Sequence, residues 1–441
     1  MRIPELPPNL QGKEFNYGSI LDDLVTAGRF YEFLELTENK YYYWDKWKYI
    51  ARSWGFDPLK LWYAVKIRRA SYKVITPSKR ENFRFRIASP SIVQEYLHEF
   101  DMHLGGFLQG DHLIPSVEKE RYLISTLMEE AIASSQLEGA ATTRRVAKEM
   151  LETARKPKNS SEQMILNNFN AMKWIMEHKE EPFSIKNLNH LHGTLTRSTL
   201  SKEEEGAFRS DDKVKVIDNQ TGKVLHVPPS FEHLDELMED FCAFANDKDT
   251  GAFFIHPITK AIVLHFLIGY IHPYSDGNGR TARTIFYWYL IKKGYWLIEY
   301  MSVSRIILKS KSRYAMAYLH TERDSNDLTY FVMYNLRAIH IALQDLKSYV
   351  GRKNAEKQQA LTMLRNTDFN DRQIAIIHEI TRDPSLYFSV KQIETRFAVS
   401  NQTARNDLAG LVRRGILNDR KTGKKVHFLP AKNFMEKLGL K

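Results

Sequence analysis

The sequence predicts a mostly α-helical protein: a helical N-terminal region, a helical core interrupted by one β-hairpin, and a C-terminal winged helix-turn-helix. Three observations predict it. From Val117 to about Ile341 apolar residues recur at three and four, the helix period. One alternating segment, Asp212–Pro229, breaks that pattern. The last stretch, of about 70 residues, holds three short helical segments and then two strands about a basic turn.

A chain of 441 residues exceeds what one hydrophobic core usually serves, and two to four domains are expected at roughly 100–200 residues each. The expected divisions are an N-terminal helical domain over 1–115, a core over 116–345, a helical linker over 346–368 and the tail over 369–441. A composition 43% hydrophobic and 27% charged is that of an ordinary soluble globular protein. The net charge of +11 points to a polyanionic partner or to a surplus spread over a large surface. The single cysteine, Cys242, excludes a disulfide scaffold and a multi-cysteine zinc site, and fits a reducing compartment. No apolar core follows the basic start, so the N-terminus does not read as a secretion signal. The longest apolar run, Ala261–Ile271, is far short of the roughly 20 residues that span a bilayer. It reads as a buried central helix, and the expectation is a cytoplasmic protein with no membrane segment.

Residues 1–115 are rich in aromatics (Tyr41, Tyr42, Tyr43, Trp44, Trp47, Trp54, Trp62) among basic residues such as Arg68, Arg69, Lys79 and Arg80. Such a mixture serves nucleic acid by stacking bases on rings, or makes an aromatic core with a solvated basic face. The second is the commoner arrangement. Ile124, Leu127, Met128, Ala131 and Ile132 form one helical stripe. A further helix begins near Ser161, with Glu162 and Gln163 in its first turn, and Ser184 can cap the next. In the Asp212–Pro229 segment, VKVI and KVLHV flank Asp218–Gly222, which reads as a hairpin around a turn. Its free edge can take an extended peptide by strand addition, or it is a surface decoration.

Gln344–Phe369 reads as a solvated helix leading into the linker. In the tail, Arg372–Thr381, Val390–Phe397 and Gln402–Arg414 are helical, and Gly415 stands where a helix ends. Ile416–Asn418 and Lys424–Leu429 flank the turn Arg420–Gly423. Residues 366–441 hold 14 Lys and Arg against 8 Asp and Glu, about half the surplus of the whole chain. A recognition helix beginning near Ser400 would aim Asn401, Gln402, Thr403 and Arg405 at a groove, with Lys421 and Lys424 on the wing near phosphates. Winged helices also bind proteins, so DNA and protein stand as alternative partners of the tail.

The chemistry concentrates in IHPYSDGNGRTARTIFYWYLIKKGY. An apolar helix ends near His272-Pro273, and a new one begins around Asn278–Gly279 and runs to Gly294. Gly277 and Gly279 clear side chains from a helix N-terminus, whose free N–H groups and dipole attract anions. Arg280 and Arg283, three apart, face one side. Cations there oppose the dipole unless a phosphate docks between them. Asp276 beside this nest is reconciled with an anion by a bridging Mg²⁺, which takes one or two carboxylates plus phosphate oxygens. His272 stands at the entrance, placed to take a proton from a hydroxyl. There is no G-x-x-x-x-G-K-[ST] run, which excludes a P-loop.

HPYSDGNGRTAR resembles the signature of the Fic (filamentation-induced-by-cAMP) family, H-x-F-x-[D/E]-G-N-G-R-x-x-R, with Tyr274 in place of Phe. That ring packs inward in the family, so its extra hydroxyl needs a partner. The resemblance implies transfer of AMP from ATP to a Ser, Thr or Tyr hydroxyl of a target protein. It implies His272 as general base and Asp276 as the Mg²⁺ ligand. By the same resemblance Gly277, Asn278, Gly279 and Arg280 cradle the phosphates, and Arg283 takes the γ-phosphate. It further implies that the hairpin, including Val214, Lys215, Val216 and Ile217, is a flap that aligns the target. Gly206-Ala207-Phe208-Arg209 resembles the family segment G-x-F-R and is expected to brace the loop. Other family members transfer different phosphate-containing groups.

Ser134-Ser135-Gln136-Leu137-Glu138-Gly139 fits the family's inhibitory motif, [S/T]-x-x-x-E-[G/N], on a helix at about 124–139. Read without the resemblance it is a helix end capped by Gly139. With it, Glu138 is expected to pair with Arg283 and turn the ATP phosphates from the in-line geometry. In some relatives the same glutamate positions a water that removes AMP, and this stays open here. His192, His256 and His265 are expected to be core histidines, Glu203–Glu205 solvated, and Tyr314 and Tyr318 near the nucleotide. A homodimer is among the expected assemblies. The alternative to an enzyme is a DNA-binding regulator that uses the Fic core as a nucleotide sensor.

Overall fold

A computed structural model describes residues 3–13, 15–80, 83–105, 116–218, 221–247, 253–365, 369–382, 384, 386–422 and 425–438. The chain divides into two compact units, Met1–Leu346 and Lys347–Lys441.

The first unit opens with helices α1 (Tyr17–Thr26), α2 (Phe30–Leu34), α3 (Trp44–Ser53) and α4 (Pro58–Arg68). The hairpin β1 (Tyr72–Ile75) and β2 (Phe85–Ala88) follows, and then α5 (Ser91–Leu104). Asp57 starts α4 by accepting from the N–H groups of Leu59 and Lys60, with Pro58 in the first turn. Phe33, Trp47 and Trp62 are fully buried, so the aromatics of this region build a core. The sequence reading separates residues 1–115 as a helical domain. In the structure they contain a β-hairpin and belong to the same unit as the rest of the core. Buried polar contacts tie them in: the Tyr41 hydroxyl donates to Asp327 at 2.9 Å, and Lys66 pairs with Asp324 at 2.9 Å. The Arg86 backbone also pairs with Asn326 and Leu328.

The remainder of this unit is α6 (Ser116–Leu137), α7 (Arg144–Glu152), α8 (Ser160–Glu177), α9 (Ile185–Thr196), the short strands β3 (Val216–Ile217) and β4 (Val224–His226), α10 (Leu234–Ala245), α11 (Pro257–Ile271), α12 (Asn278–Lys292), α13 (Val303–Lys309), α14 (Lys311–Arg323) and the part of α15 (Thr329–Arg365) up to Leu346. Asn159 caps α8, and Ser184 caps α9 as expected from its place before an apolar periodic run. At the centre lie α11 and α12. Every residue from Ile258 to Ile268 is buried, as is every residue from Arg280 to Ile291. A helix without an exposed face is a core helix, and the loop between these two is thereby anchored at both ends in the core. The expected linker start at 346 coincides with the division between the two units, and it falls inside α15, which runs continuously from Thr329 to Arg365.

The second unit holds α16 (Asp371–Arg382), α17 (Val390–Phe397), α18 (Asn401–Arg413), the hairpin β5 (Leu417–Thr422) with β6 (Lys425–Pro430), and α19 (Phe434–Lys437). Phe388 adds an isolated bridge to Phe428. Ser389 and Gln392 form a capping box on α17, and Ser400 caps α18. Ile376, Ile377, Ile380, Ile393, Leu408 and Leu411 fill the core of this unit. Arg420, Lys421 and Thr422 lie in β5 and not in the turn, whose Gly423 and Lys424 fall outside the described residues. Among the described residues no helix is long and apolar enough to cross a membrane.

Candidate active site

The loop between α11 and α12 begins with His272, which closes α11 in a left-handed conformation, φ 51 and ψ 57. Its Nδ1 lies 3.2 Å from the carbonyl of Gly269. A carbonyl only accepts, so Nδ1 carries the hydrogen and Nε2 holds the free lone pair. Burial, the largest influence, pushes the pKa of His272 below the ordinary histidine value. The result is a neutral imidazole, the form that accepts a proton.

Tyr274 is fully buried and stacks on His192, with ring centroids 3.7 Å apart and planes 2° from parallel. Its hydroxyl donates to Asn189 Oδ1 at 3.0 Å, the partner that the change from Phe requires. His192 Nε2 donates to the Asp276 carbonyl at 2.9 Å, and its Nδ1 accepts from Gly206 N at 3.1 Å. With both nitrogens engaged in the neutral form, burial brings its pKa down to about 4. His265 is likewise a buried neutral histidine, its Nε2 2.8 Å from the Tyr314 hydroxyl and its pKa down to about 3 through burial. His256 is not a core residue. It caps α11 through Nδ1 and meets Asp101 at 3.0 Å.

Gly277 precedes α12 with φ 82, and a Cβ there would lie 2.9 Å from Thr196. Only glycine suits both the backbone and the space. The Asn278 amide is spent inside the loop, accepting from Tyr274 N at 3.0 Å and donating to Tyr274 O at 2.8 Å. What Asn278 and Gly279 offer an anion is their backbone at the start of α12. Arg280, fully buried, donates to Leu195 O at 2.9 Å and lies 3.3 Å from Asp276. The Asp276 side chain is 61% exposed. One carboxylate that is open to solvent beside an anion nest fits a Mg²⁺ completed by phosphate oxygens and water. Among the described residues no cluster of three or more His, Cys, Asp or Glu side chains could hold a metal alone.

Arg283 is 3% exposed. Its Nε donates to Ser134 Oγ, and its Nη2 to both Ser134 O and Glu138 Oε1, each at 2.9 Å. Ser134 lies on α6, and Glu138 directly follows that helix. The Glu138 carboxylate lies over the first turn of α12, where a Cβ on Gly279 would fall 2.2 Å from Oε1. A carboxylate thus lies beside the start of α12, where helix-end electrostatics favour it. Gly139 follows with φ 98, so the capping role and the motif position coincide.

Arg209, 6% exposed, joins the loop to the segments flanking the β3–β4 hairpin. It donates to His272 O at 3.0 Å, to Asp211 O at 2.8 Å and to Asp212 at 2.7 Å, and also to Pro229 O. This is the bracing expected of the Phe208-Arg209 segment. Val216 and Ile217 form β3, whereas Val214 and Lys215 precede the strand. From β4, His226 reaches the Tyr270 carbonyl at 2.7 Å and Glu322 at 2.8 Å.

The structure therefore brings Ser134, Glu138, His272, Asp276, Gly277, Gly279, Arg280 and Arg283 around one loop. Sequence reading missed His226, Glu130 and Tyr287; Glu130 lies eight residues before Glu138, on the same helical face. In the second unit Asn401 accepts from Arg405 at 2.9 Å and donates to Glu394 at 3.1 Å. Gln402 donates to Asn406 at 3.1 Å, and Thr403 N binds the capping Ser400 hydroxyl at 3.1 Å.

Residues 182–290 match the Fic/DOC family. A protein of Aedes aegypti named Protein adenylyltransferase Fic is 33% identical over 128 residues, 28% of this chain and 23% of that protein. One of the same name from Nematostella vectensis is 28% identical over 186 residues, 41% of each. The chain thus spans less than half the length of these curated relatives. Among solved structures, a Fic family protein from Desulfovibrio desulfuricans G20 is 20% identical at a TM-score of 0.48, covering 77% of this chain and 95% of that chain.

Proposed function

We propose that this chain, which carries a Fic domain over residues 182–290, is an auto-inhibited protein adenylyltransferase. It moves AMP from ATP to a Ser, Thr or Tyr hydroxyl of a target protein and of itself. The observation that carries the reading is the Glu138 carboxylate set against Gly279 at the start of α12 and bonded to Arg283 at 2.9 Å. A site built for an anion is filled by the protein's own.

In the transfer, the target oxygen forms a bond to the α-phosphorus and the bond to the β-phosphate oxygen breaks, releasing pyrophosphate. The hydroxyl proton goes to His272 Nε2, the nitrogen left free by the Gly269 contact. The backbone of Gly277–Arg280 and the Arg280 side chain hold the phosphates, and Arg283 takes the γ-phosphate once Glu138 leaves. Asp276 would hold Mg²⁺, which supplies charge neutralisation to the phosphates. The flap, anchored by Arg209 and His226, presents the target segment in register along β3.

Mass spectrometry after incubation with ATP and Mg²⁺ tests this. The Glu138→Gly protein is expected to gain AMP, and Glu138→Gly with His272→Ala to gain none. Equal labelling of wild type and Glu138→Gly would sink the auto-inhibited reading.

One observation favours a second reading. The second unit holds a groove of about 1160 Å³ whose lining includes Lys391, Arg396, Arg405, Arg413 and His427. As a winged helix, this unit would set Arg405 and Lys421 against DNA phosphates, and the protein would be a regulator with a nucleotide-sensing core. Salt-dependent duplex binding that survives His272→Ala would support it.

A further inference from the structure

On one face of α6 and its end, Glu130, Ser134 and Glu138 stand four residues apart; on α12, Gly279, Arg283 and Tyr287 do the same. At 3.6 residues per turn each trio lines one face of its helix. The trios meet in opposite order. Glu138 lies against Gly279 and Arg283, Ser134 against Arg283, and Glu130 against Tyr287.

Glu130 is 2% exposed and takes no part in the transfer described above. Its Oε2 lies 2.8 Å from the Tyr287 hydroxyl and accepts from Ser302 Oγ at 2.9 Å and Ser304 N at 3.0 Å. Its Oε1 accepts from Ser304 Oγ. A carboxylate withdrawn from water to this degree is retained only where its acceptor positions are filled, and here every donor comes from outside α6. Both ends of the inhibitory contact thus depend on where α6 rests: Glu138 over the nest, and Ser134 against the guanidinium.

We propose that Glu130 is the positioning residue of the inhibitory helix: its carboxylate, clasped by Tyr287, Ser302 and Ser304, fixes α6 so that Glu138 reaches the anion nest. The proposal rests on the auto-inhibited reading above. It has a sign that general damage lacks. Loosening α6 frees the nest from Glu138, and it also loosens Ser134 from Arg283. Glu130→Gln alone therefore activates, while in a protein already lacking the Glu138 carboxylate it brings no gain and a modest loss.

The test is auto-modification of the full chain by ATP labelled at its α-phosphate, with thermal unfolding of each variant alongside. Glu130→Gln is expected to raise labelling by up to about tenfold, given the strength of buried hydrogen bonds, and to stay below Glu138→Gly. Glu130→Gln in the Glu138→Gly background is expected to label no more than Glu138→Gly. Ser304→Ala, which removes a donor and leaves Glu130 in place, is expected to act in the same directions to a smaller extent. It carries the test if Glu130→Gln does not fold. A fall or no change in both backgrounds, or a rise in both, overturns the proposal. If Glu138→Gly itself fails to exceed wild type, the auto-inhibited reading falls and this proposal with it. If only Glu130→Gln and Ser304→Ala fail to exceed wild type, the proposal falls alone.

Discussion

Glu138 and Gly279 are fitted to each other: the carboxylate lies where the side chain of any other residue at 279 would begin, with Oε1 2.2 Å from the place of a Cβ. Alanine inside a helix is otherwise preferred to glycine by about 1 kcal/mol. Gly279→Ala is therefore expected to lower the melting temperature of the wild type by displacing Glu138. In the Glu138→Gly background the same change is expected to raise it. Paired thermal unfolding curves check the reversal; a fall in both backgrounds contradicts the fit.

Removing Glu138 leaves the Arg283 charge buried against the neutral oxygens of Ser134. Breaking a buried pair from one side is costly, on the order of 1–3 kcal/mol here because Glu138 is 30% exposed. Glu138→Gly is expected to melt below wild type without nucleotide and to gain more from saturating ATP. Differential scanning fluorimetry with and without ATP measures both shifts. An ATP shift no larger than that of wild type would contradict the occlusion of Arg283.

Acid is expected to destabilise the first unit through its buried neutral histidines. His192, held down to about 4 by burial, takes up no proton in the folded state near neutrality. The unfolded chain takes one up at about 6.5, so stability is complete above that value and falls as the pH drops toward 4. His192→Gln is expected to be less stable at pH about 7 and to show a shallower acid loss. Unfolding midpoints across that interval decide it, and an unchanged slope counts against the assignment.

His226 has the opposite sign. Burial opposes its charge, but Glu322 outweighs burial and the pKa rises above the ordinary value. Both ring nitrogens face acceptors, Glu322 on α14 and the Tyr270 carbonyl on α11, and only the imidazolium can donate to both. Its contribution is complete below about 6.5 and is lost as pH rises through its raised pKa. Target modification by the Glu138→Gly protein is expected to weaken on that alkaline side through KM for the target. His226→Gln is expected to remove the alkaline limb. A limb that persists in His226→Gln would assign it elsewhere.

Much of this was legible in the residues themselves. The apolar run Ala261–Ile271 has no polar face, and it became the core of the unit. Gly277, Gly279, Arg280 and Arg283 read as an anion site in the sequence because glycine, helix start and arginine spacing all act locally. What stayed hidden depends on distant partners. The Tyr274 hydroxyl finds Asn189, and Glu130 finds Ser302 and Ser304, across separations that no window of sequence reveals. The N-terminal residues read as a separate domain because their aromatic core is self-sufficient in composition. The contacts of Tyr41 and Lys66 with Asp327 and Asp324 bind them to the rest. His256 read as apolar-facing because it adjoins α11, yet the residue before Pro257 is the cap.

The left-handed backbone at His272 has a consequence for how this loop ages under mutation. A non-glycine residue there carries conformational strain of about 1 kcal/mol that glycine would relieve. The position proposed to bear the base is thus one where folding and chemistry want different residues. Under the proposed function, the backbone at 272 is held out of its easiest conformation by the need for an imidazole there, while the buried helices on either side keep the loop in place.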